Sequence, residues 1–210
     1  MKRGIVVDLD GTLLCVNTFK EYIIFSLKEA VQSLRIDIVV VLCLWVLLRK
    51  CRIVRHEKMK YHILSITYRF MDTSRLQTFV KDWLLPNLNK QVYELCQQYK
   101  KDGYYVCLST AAPENYVKYF VTHLCFVDSY LATSMPNDSH IKWKENVREL
   151  KYRNTIEWLK SQSISLHTMI TDHYDDLPLL MYPKEENILV NPSFKTLKII
   201  MHSHLKFRVL

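Results

Sequence analysis

Glycine is scarce in this chain of 210 residues, which holds only Gly4, Gly11 and Gly103. Each stands at the edge of an apolar or helical stretch, where it reads as punctuation. Cysteine pairing is missing too. Cys15, Cys43, Cys51, Cys96, Cys107 and Cys125 are scattered, with no C-x-x-C pair among them. That argues against a zinc site or a disulfide framework, and the expectation is reduced, buried thiols in a cytoplasmic protein. No RNA- or DNA-binding motif accompanies the formal net charge of +8, so no nucleic-acid partner is expected although the charge suits anionic ones. After Met1-Lys2-Arg3 only Ile5 to Val7 is apolar before Asp8 intervenes, so no signal peptide is expected. A membrane-spanning run is lacking as well. Ile36 to Leu48 is apolar apart from Asp37, but as a helix it covers about 20 Å against a hydrocarbon thickness of roughly 30 Å.

What is present is a folded chain. Aromatics at 12% and hydrophobics at 49% exclude disorder, and the length suits one well-buried core with a small accessory domain. The stretch Ile5-Val6-Val7-Asp8-Leu9-Asp10-Gly11-Thr12-Leu13 organises the rest. An apolar run without alternation between two glycines reads as a buried strand of a parallel sheet. Residues i and i+2 of an extended chain point the same way, so Asp8 and Asp10 emerge together at the strand's carboxyl end, where open α/β sheets bind ligands. Two carboxylates side by side repel, unless a cation or a division of roles stabilises them. The expected division is one nucleophile and one proton donor and acceptor.

From Thr18, a reasonable helix N-cap, to Leu85 no strand–turn–helix unit is found, and the segment reads as a helical insertion. Within it, the apolar stretch Ile36–Leu48 precedes a basic run, Arg49 to Lys60. Two readings stand for these residues 36–60: a buried helix with a charged, solvated sequel, or peripheral contact with the cytoplasmic face of a membrane. Leu76, Phe79, Val80 and Trp83 form another apolar stripe, which Pro86 ends.

From Asn89 the pattern returns to α/β order. Val92, Leu95, Cys96 and Tyr99 repeat at helical spacing, with Gly103 as the carboxyl-terminal cap. Tyr104 to Leu108 reads as a strand ending in Ser109-Thr110-Ala111-Ala112, and Pro113-Glu114 as the first turn of a helix. A hydroxyl between strand end and helix start is either a phosphate cradle or a plain N-cap. Tyr116, Val117, Phe120 and Val121 face one side of that helix. Ser129 to Thr133 is strand-like, and a polar loop contains Pro136-Asn137-Asp138. Lys151 opens a helix through Leu159, where a cation is misplaced unless an anion lies close. His167 to Thr171 is a strand leading into Asp172, Asp175 and Asp176. With Asp8 and Asp10 these place five carboxylates in one crevice, which is plausible around a hard divalent cation, and oxygen ligands beside a phosphoryl group point to Mg²⁺. Ile188 to Val190 reads as the last strand before a helix carrying Phe194, Leu197 and Ile200, while His202 and His204 read as surface residues.

Together these motifs resemble the haloacid dehalogenase superfamily, in its phosphoserine-phosphatase-like branch (subfamily IB). Asp8-Leu9-Asp10-Gly11-Thr12-Leu13 matches its first motif, Thr110 its second, Lys151 its third, and Asp172 to Leu180 its fourth. The resemblance implies a Rossmann-like α/β core over residues 1–17 and 88–210, with a helical cap over 18–87. It implies a Mg²⁺-dependent phosphatase in which Asp8 forms an aspartyl-phosphate and Asp10 serves as acid and base. Thr110, or Ser109 if the strand ends one residue earlier, would bind substrate with Lys151, for which Lys142 and Lys144 are alternatives. Asp8, Asp172, Asp176 and the Asp10 carbonyl would hold the metal. His173 departs from the small residue usual after the first aspartate of the fourth motif, and Asp175 stands where Asn is frequent. The apolar helix and basic run resemble members of this branch that dephosphorylate phosphatidylglycerophosphate, so a lipid or lipid-linked phosphate is one expected substrate. A soluble phosphoserine-like ester is the other, and phosphoryl transfer to another acceptor uses the same motifs.

Overall fold

The computed structural model describes residues 2–136, 143–182 and 185–210. The loop residues Asn137 and Asp138, and the alternative lysine Lys142, lie outside them. Six strands form one parallel sheet: β1 (Lys2–Val7), β2 (Tyr105–Pro113), β3 (Ser129–Thr133), β4 (Ile164–Thr171), β5 (Glu186–Leu189) and β6 (Arg208–Val209). Their order is β3-β2-β1-β4-β5-β6. This is the doubly wound order in which the chain reverses direction across the sheet beside β1, so the crevice at the carboxyl ends opens there.

The missing alternation in the strands has a simple cause. Ile5, Val7, Val106, Leu108, Ile170 and Ile188 pack into one hydrophobic layer, while Val6, Cys107, Met169 and Leu189 pack into another on the opposite face. Both faces are covered by helices, so the central strand positions are mostly apolar on both sides. The edge strand β6 escaped the sequence reading because two exposed residues carry no pattern; it is fixed by register, with Leu189 opposite Val209.

Residues 18–87 hold helices joined by turns: α1 (Thr18–Gln32), α2 (Ile36–Lys50), α3 (His56–Thr67) and α4 (Thr73–Phe79). The last continues as a π turn over Val80–Leu84 and a 3₁₀ turn over Leu85–Asn87 containing Pro86. Thr18 is not the cap of α1 but its first residue; Asn17 is the cap, its side chain accepting a hydrogen bond from the Lys20 amide. Four aromatic rings join this layer to a helix of the core. Phe79 lies 5.7 Å from Tyr22, 5.3 Å from Phe25 and 5.3 Å from Tyr116 of α6 (Glu114–Val121). In contrast α2, the most apolar helix, buries only Ile38 and Leu42.

The remaining helices are α5 (Lys90–Lys101), α7 (Arg148–Ser161), α8 (Leu177–Met181) and α9 (Phe194–His202). Asn89 caps α5 and Gly103 follows it with φ +82°, as the spacing predicts. One expectation is corrected: Cys96 and Cys107 are buried, but Cys15, Cys43, Cys51 and Cys125 are exposed. The apolar segments holding Cys43 and Cys15 expose one face, and the thiols lie on it.

Candidate active site

β1 and β4 are adjacent and parallel, with Val7 opposite Ile170. The register extends one step further, since the Asp8 amide donates to the Ile170 carbonyl at 2.9 Å. Asp8 therefore leaves the sheet beside Asp172. Both carboxylates, with Asp10, Asp175 and Asp176, line one cavity of about 260 Å³. The five acids expected in one crevice are thus brought together.

Lys151, in the first turn of α7, reaches into this cavity and is 3% exposed. Its Nζ donates to Asp8 Oδ1 at 2.7 Å and to Asp176 Oδ2 at 2.8 Å. Thr171 Oγ1 donates to the same Asp176 oxygen at 2.7 Å. A cation early in a helix is offset by two carboxylates, which resolves its apparent misplacement. Lys144, the alternative, is exposed and lines only the adjoining cavity.

Asp10 is oriented by the start of α1: its Oδ1 accepts a hydrogen bond from the Thr18 amide at 3.0 Å. The loop between them is tight. Gly11 has φ +73°, and a Cβ there would stand 2.4 Å from Asp172 Oδ2, so no side chain fits between the loop and that carboxylate. Thr12 Oγ1 donates to the other oxygen of Asp172 at 3.4 Å.

The two hydroxyls at the end of β2 have different partners. Strand alternation turns Ser109 toward α7, where its Oγ lies 2.8 Å from Thr155 Oγ1, both buried. Ser109 does not line the cavity. Thr110 is buried, with Oγ1 accepting from the Ala112 amide at 3.0 Å. The residue of β2 that lines the cavity is Ala111.

Sequence reasoning missed Lys60 and Asn146. Lys60 is 3% exposed, donates to the Ala111 carbonyl at 2.8 Å and pairs with Glu145 at 2.7 Å. A signal existed: Lys60, Ile63, Leu64 and Thr67 recur at helical spacing on the buried face of α3. Asn146 donates to the carbonyls of Thr110 (3.0 Å) and Leu131 (3.2 Å), tying the ends of β2 and β3 together ahead of α7. Nothing in its sequence context marks it.

Burial dominates the electrostatics. It pushes the Asp8 carboxyl above its ordinary value, opposed by the nearby Lys151 and reinforced by Asp176. Asp10 and Asp172 are raised for the same first reason. Burial works against the charge of Lys151, but Asp176 and Asp8 outweigh it and hold the ammonium above its usual range. Negative charge is in excess, which tests whether a cation fits. Among the described residues no three Asp, Glu, His or Cys side chains converge as a metal cluster. Mg²⁺ does not require three, because it is commonly held by one or two carboxylates, its own waters and a substrate phosphate. The all-oxygen donors at Asp8 and Asp172 fit that pattern, and the missing side chain at Gly11 is what lets Asp172 lie against that loop.

A pH dependence follows. A carboxylate raised in the folded state binds protons more tightly there than when unfolded, so its contribution is full at low pH and is lost as pH rises through the folded value. The metal-free chain should therefore melt at lower temperature as pH rises from about 5 to about 8, and added Mg²⁺ should raise the melting temperature more at the upper end. Differential scanning fluorimetry with chelator and with Mg²⁺ measures both; a Mg²⁺ shift equal at both pH values contradicts the assignment.

A parallel α/β sheet of this order, with paired carboxylates at the end of its first strand and a buried lysine facing them, defines a Rossmann-like hydrolase core. The family model of haloacid dehalogenase-like hydrolases matches residues 5–181, and the chain belongs to that family. Solved structures agree on the fold. A protein of unknown function from Bordetella pertussis Tohama I is 17% identical with a TM-score of 0.76, covering 99% of this chain and 98% of that one. A phosphoserine phosphohydrolase-like protein from Francisella tularensis is 17% identical with a TM-score of 0.60, covering 99% and 94%. A phospho-aspartyl intermediate analogue of phosphoserine phosphatase is 15% identical with a TM-score of 0.60, covering 99% and 93%. None of the curated proteins compared with the sequence matches it.

Proposed function

We propose that the chain is a Mg²⁺-dependent phosphomonoester phosphatase working through an aspartyl-phosphate on Asp8. The observation that carries the reading is Lys151 Nζ between Asp8 (2.7 Å) and Asp176 (2.8 Å), in the cavity that Asp10 also lines. Asp8 Oδ attacks phosphorus, forming an acyl-phosphate bond as the ester oxygen departs. Asp10, whose raised affinity for protons suits an acid, gives its proton to that oxygen and then takes one from the water that hydrolyses the acyl phosphate. Lys151 offsets charge on the phosphoryl oxygens, while Asp176, itself bonded by Thr171, holds its amine in place. Asp8 and Asp172, with the Asp10 carbonyl, would hold Mg²⁺, and Asp176 would support it. Bound there, the ion supplies Lewis-acid neutralisation of the phosphate. Thr110 stays a phosphate-binding candidate by its motif position.

For the alcohol, a lipid or lipid-linked phosphate is favoured over a soluble phosphoserine-like ester. A second cavity of about 680 Å³ adjoins the first at Asp10 and is lined by Arg55, Lys60, Lys144 and Arg148 together with Glu57, Glu145, Glu149 and Asp175. Arg55 belongs to the basic run after α2, so that run reaches the substrate entrance.

The test is a phosphate-release assay on an aryl phosphate with and without Mg²⁺, followed by a panel of lipid and soluble phosphomonoesters. Expected are Mg²⁺-dependent release and acid-stable labelling of the protein that hydroxylamine discharges. Release without labelled protein would refute the covalent route. Added alcohols separate hydrolysis from transfer: a phosphorylated alcohol as main product would mark a phosphotransferase.

A further inference from the structure

We infer that α2 is a docking surface for an anionic lipid bilayer, which the chain grips peripherally with one face of this helix and the basic turn that follows. The inference stands apart from the phosphatase reading, because it concerns adsorption and needs no turnover.

Ile36, Val40, Leu44 and Leu47 are 60%, 59%, 49% and 57% exposed. At 3.6 residues per turn they fall within about 80° of one another, a single stripe on a helix whose other side holds the buried Ile38 and Leu42. Exposed apolar residues also flank α2 in sequence. Leu34, just before α2, is 82% exposed at φ +55°, and Ile53, just after it, is 69% exposed beside Arg52 at φ +60°. A leucine in the left-handed region with its side chain in water serves no packing in the chain itself. Isolated exposed apolar residues are ordinary, but four on one face of one helix mark an interaction site.

Charge selects the occupant. Arg49, Lys50, Arg52, Arg55 and Lys58 are all exposed, and among the described residues none is ion-paired. The acid at the other end, Asp37, is neutralised by Arg35 through bonds of 2.9 and 2.7 Å. A second copy of the chain would bring the same unpaired cations and no opposite charge to meet them. An anionic bilayer offers acyl chains to the stripe and phosphate headgroups to the cations together. Among the described residues no helix is long and apolar enough to cross a membrane, so the contact lies along the surface.

The full chain is to be sedimented with vesicles of phosphatidylcholine alone and of phosphatidylcholine mixed with phosphatidylglycerol, at low and high salt. Expected is binding to the mixed vesicles that high salt weakens. The triple variant R49Q/K50Q/R52Q should lower partitioning about 100-fold, at about fivefold per charge. V40Q/L44Q/L47Q should lower it at least as much. All six positions are partly or fully exposed, so circular dichroism should be unchanged in both variants. No binding to either vesicle overturns the inference, as does binding that V40Q/L44Q/L47Q leaves intact. Concentration-dependent dimerisation lost in V40Q/L44Q/L47Q, with no vesicle binding, overturns it in favour of self-association.

Discussion

Asp8→Asn lowers kcat for phosphate release by more than about four orders of magnitude, the scale seen when a covalent nucleophile is removed from a preorganised site. It does so without unfolding the chain. The side chain keeps its shape, the Asp8 amide still bonds to the Ile170 carbonyl, and Lys151 retains Asp176 at 2.8 Å. A buried carboxylate whose ionisation is opposed first by desolvation is replaced by a neutral group, so the melting temperature of the metal-free protein holds or rises, most clearly above neutral pH. Lost activity beside retained stability separates a nucleophile from a structural residue, since a structural loss moves both downward. Wild-type hydrolysis by Asp8→Asn, or a large drop in melting temperature, would remove Asp8 from the nucleophile's role. Asp10→Asn is the companion: loss of the proton donor and acceptor lowers the rate by about 10²–10⁴.

That Asp8, Asp10, Lys151, Asp172 and Asp176 surround one cavity was legible in the sequence because each sits at a strand end or in a helix's early turns. Apolar runs locate strands, and parallel strands deliver their carboxyl ends to one edge, so the convergence follows from topology. The two hydroxyls of β2 were not separable that way. One residue of register decides whether Ser109 or Thr110 faces α7, and no pattern in a fully buried strand reports it. The apolar stretch of α2 posed a similar difficulty, because burial is set by neighbours and a helix apolar on nearly every side reads the same whether covered or bare. Lys60 was hidden by its surroundings: inside a basic run it resembles a solvated lysine, although helical spacing placed it on the buried stripe. Asn146 acts through the carbonyls of Thr110 and Leu131, and bonds to distant backbone leave no trace in local sequence.

Lys151→Met should be the most damaging single substitution for stability in this site. Among the described residues the ammonium is the one group bonded to both Asp8 and Asp176, which are 8% and 4% exposed. Methionine fills similar volume, so packing survives, but two buried carboxylates are left facing each other. Breaking a buried charge pair by removing one partner costs about 3–5 kcal/mol. At this chain length that corresponds to a fall of about 10 °C in melting temperature. The charge argument makes two further demands. Acidification should restore part of the loss, since protonating a carboxylate removes the repulsion, and Mg²⁺ should restore part of it at neutral pH by supplying positive charge. Catalysis is not recovered by either, because the positive charge facing the phosphoryl oxygens is gone; kcat stays down by about 10²–10³. Urea denaturation of parent and variant in chelator at two pH values, repeated with Mg²⁺, reads all of this. Equal stability of the two proteins in chelator at neutral pH would mean that Lys151 does not hold these carboxylates together.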